Sequence, residues 1–193
     1  MGGVTEKLKA SEDVKMVLHA CDRPLHESKE DRGRPNATHL DLIKLPEFLL
    51  YPQVPAADPL GGIASIEKPI FLHGTGLRYL VLICGHAAKD KRCGEIGPRL
   101  RDVFLRHFAD KGLNGASEVH LCSHVGGHKY AGNVILYKVE PSEEGESKAT
   151  VSGRWFGRVQ ECHVATLIDR FLLEDKIVTE LHRGGGCRKA IEW

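Results

Sequence analysis

Residues 77–84 read LRYLVLIC, a nearly continuous apolar run of strand length. Runs of that kind belong to strands buried on both faces, whereas half-exposed strands alternate. The next segment changes period. In GPRLRDVFLRHFADKG (97–112), Leu100, Val103, Phe104 and the pair His107-Phe108 fall on one stripe, with Pro98 near the start and Gly112 at the end. That spacing and punctuation predict an amphipathic helix. SEVHLCSH (117–124) and GNVILYKV (132–139) return to strand patterns, and EPSEEGESKAT (140–150) reads as an acidic turn. GRWFGRV (153–159) predicts a short strand edge and CHVATLIDRFLLED (162–175) a second amphipathic helix, breaking near Asp175. KIVTELHRGGG adds a last helical turn or two, and RGGGCR (183–188) has no strand before it and no Walker spacing, so it reads as a frayed terminus.

The amino-terminal part is less regular. VKMVLHA (14–20) predicts a short strand, and the polar, Pro-containing residues 21–38 an exposed loop. Residues 39–55 have apolar positions but three prolines, which suits extended or edge structure better than a long helix. Glycines at 61–62 and in HGTG (73–76) punctuate the entry to the cleaner region. The order of elements predicts an α/β fold, a central mixed sheet flanked by helices. It divides into an N-terminal strand and irregular segment (1–76) packing on the core, a core domain (77–183) and a C-terminal tail (184–193).

Composition narrows the function classes. A chain of 193 residues, 41% hydrophobic and 27% charged, has the balance of a soluble globular protein. A formal charge of +1 argues against nucleic-acid or membrane binding by bulk electrostatics, and no apolar run approaches a membrane span. The N-terminus has no signal-peptide core and is too acidic for a transit peptide. The expected location is therefore cytoplasmic, with the mitochondrial matrix as the alternative. Six cysteines are too few and too scattered for a disulfide framework, which also fits a reducing compartment.

The chemistry concentrates in two loops. Cys84 ends the apolar run and Cys93 follows it, each with glycine directly after; His124 and His128 lie beyond the next strand in SHVGGHKYAGN. Four-residue spacing would put both imidazoles on one helical stripe, but Gly126 and Gly127 each cost a helix about 1 kcal/mol relative to Ala. A glycine-softened loop is the better reading. Loops at the carboxyl ends of neighbouring parallel strands lie side by side. If strands 77–84 and 117–123 are neighbours, two thiols and two imidazoles converge, a donor set suited to zinc or to an iron–sulfur cluster. Structural zinc knuckles usually pair cysteines two to four residues apart, and this separation is looser.

Cys84-x8-Cys93 followed by His124-x-Gly-Gly-His128, within KDKRCGEIGPRL, CSHVGGHKYAGNVILY and WFGRV, resembles the thioredoxin-like [2Fe-2S] ferredoxins, also called sucrase/ferredoxin-like proteins. The resemblance covers roughly residues 75 to 183. It implies a thioredoxin-like fold, a [2Fe-2S] cluster held by Cys84, Cys93, His124 and His128, and electron transfer between unidentified donor and acceptor proteins. This chain departs from the family in having GHA (85–87) where Ser-His-Gly is common after the first cysteine. The rival readings are a zinc-stabilised interaction module on the same four residues and a thiol–disulfide oxidoreductase. The latter wants a Cys-x-x-Cys pair, which the chain does not contain.

Neighbouring residues have plainer roles. His86 is a spectator if the four-residue shell is complete, and Cys122, ending an apolar strand, reads as a buried inert thiol. Cys21, Cys162 and Cys187 are spectators. Lys91, Arg92 and Lys129 flank the site, either as solvated cations or as the contact for an acidic redox partner. Trp155 and Phe156 pack the sheet edge.

Overall fold

The structure, a computed structural model, describes residues 17–21, 39–45, 49–55, 57–122, 127–141 and 148–192. The chain divides into two compact units, Met1–Leu72 and His73–Trp193. The first unit is an antiparallel arrangement of β1 (Val17–Cys21), β2 (His39–Leu45), β3 (Leu49–Pro55) and β4 (Ile70–Phe71), in the order β4-β3-β2-β1. Residues 39–45 and 49–55 are extended, as expected for this segment, with an irregularity in the ladder between Leu40 and Leu42. Leu42, Ile43, Leu45, Leu50 and Val54 are buried. A short helix, α1 (Pro59–Ser65), is capped by Asp58, whose carboxylate accepts from the Gly61 amide. Of the predicted 21–38 loop, Cys21 closes β1 and residues 22–38 lie outside the described residues.

The second unit holds β5 (Tyr79–Cys84), α2 (Lys91–Asp110), β6 (Ser117–Cys122), β7 (Val134–Pro141), β8 (Lys148–Phe156) and β9 (His182–Glu192). Its sheet is five-stranded and mixed, in the order β6-β5-β7-β8-β9. β5 and β6 are parallel, and every other neighbouring pair is antiparallel. This is a thioredoxin-like α/β arrangement. The apolar run predicted as doubly buried is the strand between β6 and β7, and residues 80–84 are at most 1% exposed.

Both helical segments of this unit pack on the same face of the sheet. From α2, Leu100, Val103, Phe104 and Phe108 meet Val81, Ile83 and Val119. The second segment opens with a tight turn (Glu161–His163), makes one α turn (Val164–Thr166) and widens into a π-helical stretch (Leu167–Leu173). It buries Val164, Leu167, Ile168, Phe171 and Leu172, and ends where Asp175 takes a left-handed φ of 56°. The break foreseen near Asp175 is there.

Three expectations need correction. α2 begins at Lys91, six residues before the predicted start at Gly97, because Asp90 caps it and its early glycines serve packing rather than punctuation. The strand read as a short edge at 153–159 is the nine-residue β8, and it is interior. Residues 182–192, read as the end of a helical turn and a frayed tail, form β9, paired antiparallel to β8 from Phe156↔His182 to Lys148↔Glu192. Three successive glycines carry no side-chain pattern for a strand, and the partner supplied what they lack.

Candidate metal centre

Strand register places the first half of the site. β5 and β6 run in parallel register from Tyr79↔Ser117 to Cys84↔Cys122, so both strands deliver their following loops to the same end of the sheet. The Gly85 amide still donates to the Cys122 carbonyl at 3.2 Å, and the Cys84 amide donates to the Asn133 carbonyl at 3.0 Å. Cys84 is thus held from both sides, by the exit of β6 and by the entry to β7.

Cys93 does not sit in a loop, as an eight-residue separation suggested, but in the first turn of α2. Asp90 caps this turn: its carboxylate accepts from the Arg92 amide at 2.9 Å, and the Arg92 guanidinium returns to it at 2.7 Å. The helix start is drawn against the strand end by two glycines one turn apart. A Cβ at Gly97 would stand 2.7 Å from the Cys84 carbonyl oxygen, and one at Gly94 2.4 Å from Ala87 Cβ. Only a bare Cα lets backbone approach backbone so closely.

The result is a thiol pair. Cys84 and Cys93 are each 1% exposed, both are free, and the two thiols lie close enough for Cys84 to act on the charge of Cys93. Burial first, then the charge and hydrogen bond of Cys84, push the Cys93 thiol up to about 12. Without a metal Cys93 stays protonated at neutral pH, and an ion that binds there must displace its proton. The positive end of α2 works the other way, favouring the thiolates once a cation is present.

The second half of the site leaves β6 beyond Cys122. His124 lies outside the described residues. His128 opens a short turn, His128–Tyr130, flanked by Gly127 and Gly132 at φ of 51° and 87°. Left-handed glycines there agree with a glycine-softened loop. The sheet topology brings this turn to the same end as the thiols, since β7 starts opposite Ile83. Among the described residues no group of three or more His, Cys, Asp or Glu side chains converges. Cys122 is buried and donates its S–H to the Ile83 carbonyl at 3.5 Å, as expected of an inert thiol. His86 is half-buried, its carbonyl accepting the Lys89 and Asp90 amides.

Two buried thiols held together without a disulfide, at a strand end cleared by glycine, fit a soft metal ion or an iron–sulfur core. A family model described as sucrase/ferredoxin-like matches residues 2–184. The chain belongs to the sucrase/ferredoxin-like family. Relatives in it carry the name Altered inheritance of mitochondria protein 32. The one from Debaryomyces hansenii is 42% identical over 105 residues, 54% of this chain and 35% of that protein. The one from Clavispora lusitaniae is 35% identical over 156 residues, 74% of this chain and 52% of that protein. A Saccharomyces cerevisiae relative is 40% identical over 144 residues, 69% of this chain and 44% of that protein. The chain therefore spans between a third and about half the length of these relatives.

Behind the histidine turn lies a set of residues that sequence reasoning missed. Arg183, at the start of β9, donates to the side chain of Asn133 and stacks over the Tyr130 ring at 3.9 Å. Gly157 makes room for it, since a Cβ there would stand 2.4 Å from Arg183 Cδ and 3.0 Å from Tyr130 Cβ. Asn133 is 1% exposed and its carbonyl holds the Cys84 amide. Through Asn133, Arg183 is linked to the Cys84 backbone amide. Nothing in the spacing of residues fifty apart signals this, and an assignment of β9 would have been needed to find it.

Proposed function

We propose that this chain is an iron–sulfur electron-transfer protein whose [2Fe-2S] cluster is held by Cys84, Cys93, His124 and His128. The observation that carries the reading is the buried, free Cys84–Cys93 thiol pair at the carboxyl end of the parallel β5–β6 pair, beside the exit that leads to both histidines. Such a cluster supplies one-electron chemistry, and imidazole ligands remove negative charge relative to thiolates and raise its potential. The chain's own part is to exclude water from the thiols, to set their separation through Gly94 and Gly97, and to hold Cys84 through the Asn133 carbonyl. Donor and acceptor are separate proteins of unassigned identity. A relative named for mitochondrial inheritance is compatible with the mitochondrial alternative of the two expected compartments.

The deciding measurement is iron, zinc and acid-labile sulfide in anaerobically purified protein, with an electron paramagnetic resonance spectrum after reduction. We expect coloured protein with iron and sulfide in equal amounts. Cys84→Ala or Cys93→Ala should lose both, because the thiolates anchor the cluster. Zinc in colourless protein would replace this reading with an interaction module on the same ligands. Full iron and an unaltered spectrum in Cys93→Ala would show the ligand set to be wrong.

A further inference from the structure

The end of the sheet that carries the thiols also collects cations. β5 and β6 finish there, β7 begins there, β8 returns there at Phe156, and β9 leaves from there at His182. The segments bounding these strand ends and the start of α2 contribute Lys89, Lys91, Arg92, Lys129, Arg158 and Arg183. The same segments contribute four carboxylates, Asp90, Glu95, Glu161 and Glu180, against six cations, and Asp90 is engaged by Arg92. The whole chain is nearly neutral at +1, so the excess is local.

The concentration is sharpest at Tyr130. Its ring has the Arg183 guanidinium at 3.9 Å, the Lys129 ammonium at 5.0 Å and the Arg158 guanidinium at 5.5 Å. Lys129 and Arg158 are exposed, and among the described residues neither has a carboxylate partner. Ring attraction holds each cation weakly, while the three cations repel one another. An approaching carboxylate relieves that repulsion. Tyrosine and arginine are also the residues that anchor protein interfaces.

We propose that this end of the sheet is the docking face for an acidic protein, the electron donor or acceptor of the chain. The proposal rests on the electron-carrier reading, because it is the presence of the thiols at this end that makes docking there productive. A protein partner is favoured over a small anion because the cations spread from the start of α2 across to β9 rather than lining one pocket.

The test is equilibrium binding of purified flavodoxin, an acidic electron carrier, to the full chain by calorimetry, with basic cytochrome c as control. Flavodoxin should bind at 0.01 M ionic strength and weaken about tenfold or more at 0.15 M, where the Debye length has fallen from ~30 to ~8 Å. Cytochrome c should not bind. Lys129→Glu/Arg158→Glu should weaken flavodoxin binding about tenfold at low salt, since opposed charges at an interface set association. Arg78→Glu/Arg106→Glu makes the same change of net charge away from this end and should stay within about twofold. If circular dichroism shows the first variant unfolded, Lys129→Gln/Arg158→Gln should move binding in the same direction by less. Equal loss from the two reversals, no flavodoxin binding, or displacement by inorganic phosphate but not by chloride of equal ionic strength would each overturn the docking face. So would binding to phosphatidylserine vesicles in place of flavodoxin. Iron measured in every sample separates the two readings: binding by iron-free chain retains the docking face without the cluster, and iron-loaded chain that ignores flavodoxin does the reverse.

Discussion

Cys84 and Cys122 stand opposite one another at the ends of parallel strands, both buried, and yet the structure gives them different chemistry. Cys84 has the Cys93 thiol as its partner, whereas Cys122 spends its S–H on the Ile83 carbonyl. Adjacency on paired strands is therefore no evidence of a shared role. Cys122→Ala should leave iron content and the spectrum of the reduced protein unchanged, at a cost of about 1 kcal/mol in stability from the lost packing and weak hydrogen bond. Loss of iron in the folded variant would put Cys122 in the ligand set. At this scale the sequence was readable where a residue's immediate surroundings decide its fate. The apolar strand before Cys122 pointed to burial, and the glycines between His124 and Asn133 pointed to a loop rather than a helix. Arg183 and Asn133 were not readable, because their contact depends on a strand pairing that brings distant segments together.

Among the elements, α2 shows how a local rule can be right and still mislead. Proline is favoured at a helix start and glycine weakens a helix interior by about 1 kcal/mol, so Pro98 pointed to a start at Gly97. The structure runs helix through Gly94, Gly97 and Pro98 from Lys91. The Asp90 cap supplies the start, and the glycines are the price of laying the helix against the Cys84 carbonyl. The apolar stripe farther along, Leu100, Val103, Phe104 and Phe108, was legible because burial of a helix face obeys a fixed period. Gly97→Ala separates the two effects. Helix propensity alone predicts a gain of up to ~1 kcal/mol, whereas a methyl 2.7 Å from a backbone oxygen forces the helix away. We expect net destabilisation of about 1–3 kcal/mol, the range for overpacking, together with reduced iron loading as the two thiols separate. A chain that is stabilised and loads iron normally would show that the close approach is not required.

For the molecule as a whole, the parallel β5–β6 pair was the inference on which the candidate site depended, and the register bears it out. The outer edge of the sheet was the part misread. Gly184, Gly185 and Gly186 offer neither alternation nor β-branched residues, so residues 182–192 have no strand signal of their own. They become β9 because β8 presents a row of backbone donors and acceptors on the side away from β7, which β9 pairs. Deleting residues 185–193 tests this while sparing Arg183 and the Phe156↔His182 pair. The remaining seven cross-strand pairs would be lost. At a net ~0.5 kcal/mol for each lost backbone hydrogen bond, the deletion should cost roughly 3 kcal/mol. In a chain of this size that lowers the melting temperature by roughly 10 °C. It also leaves β8 as an open edge, which should promote association between copies. Thermal melts, light scattering and amide exchange at Val151–Gly153 read the three consequences separately. If the melting temperature stays within about 2 °C of the full chain and exchange at those amides is unchanged, the glycine segment does not stabilise β8 as its outer neighbour.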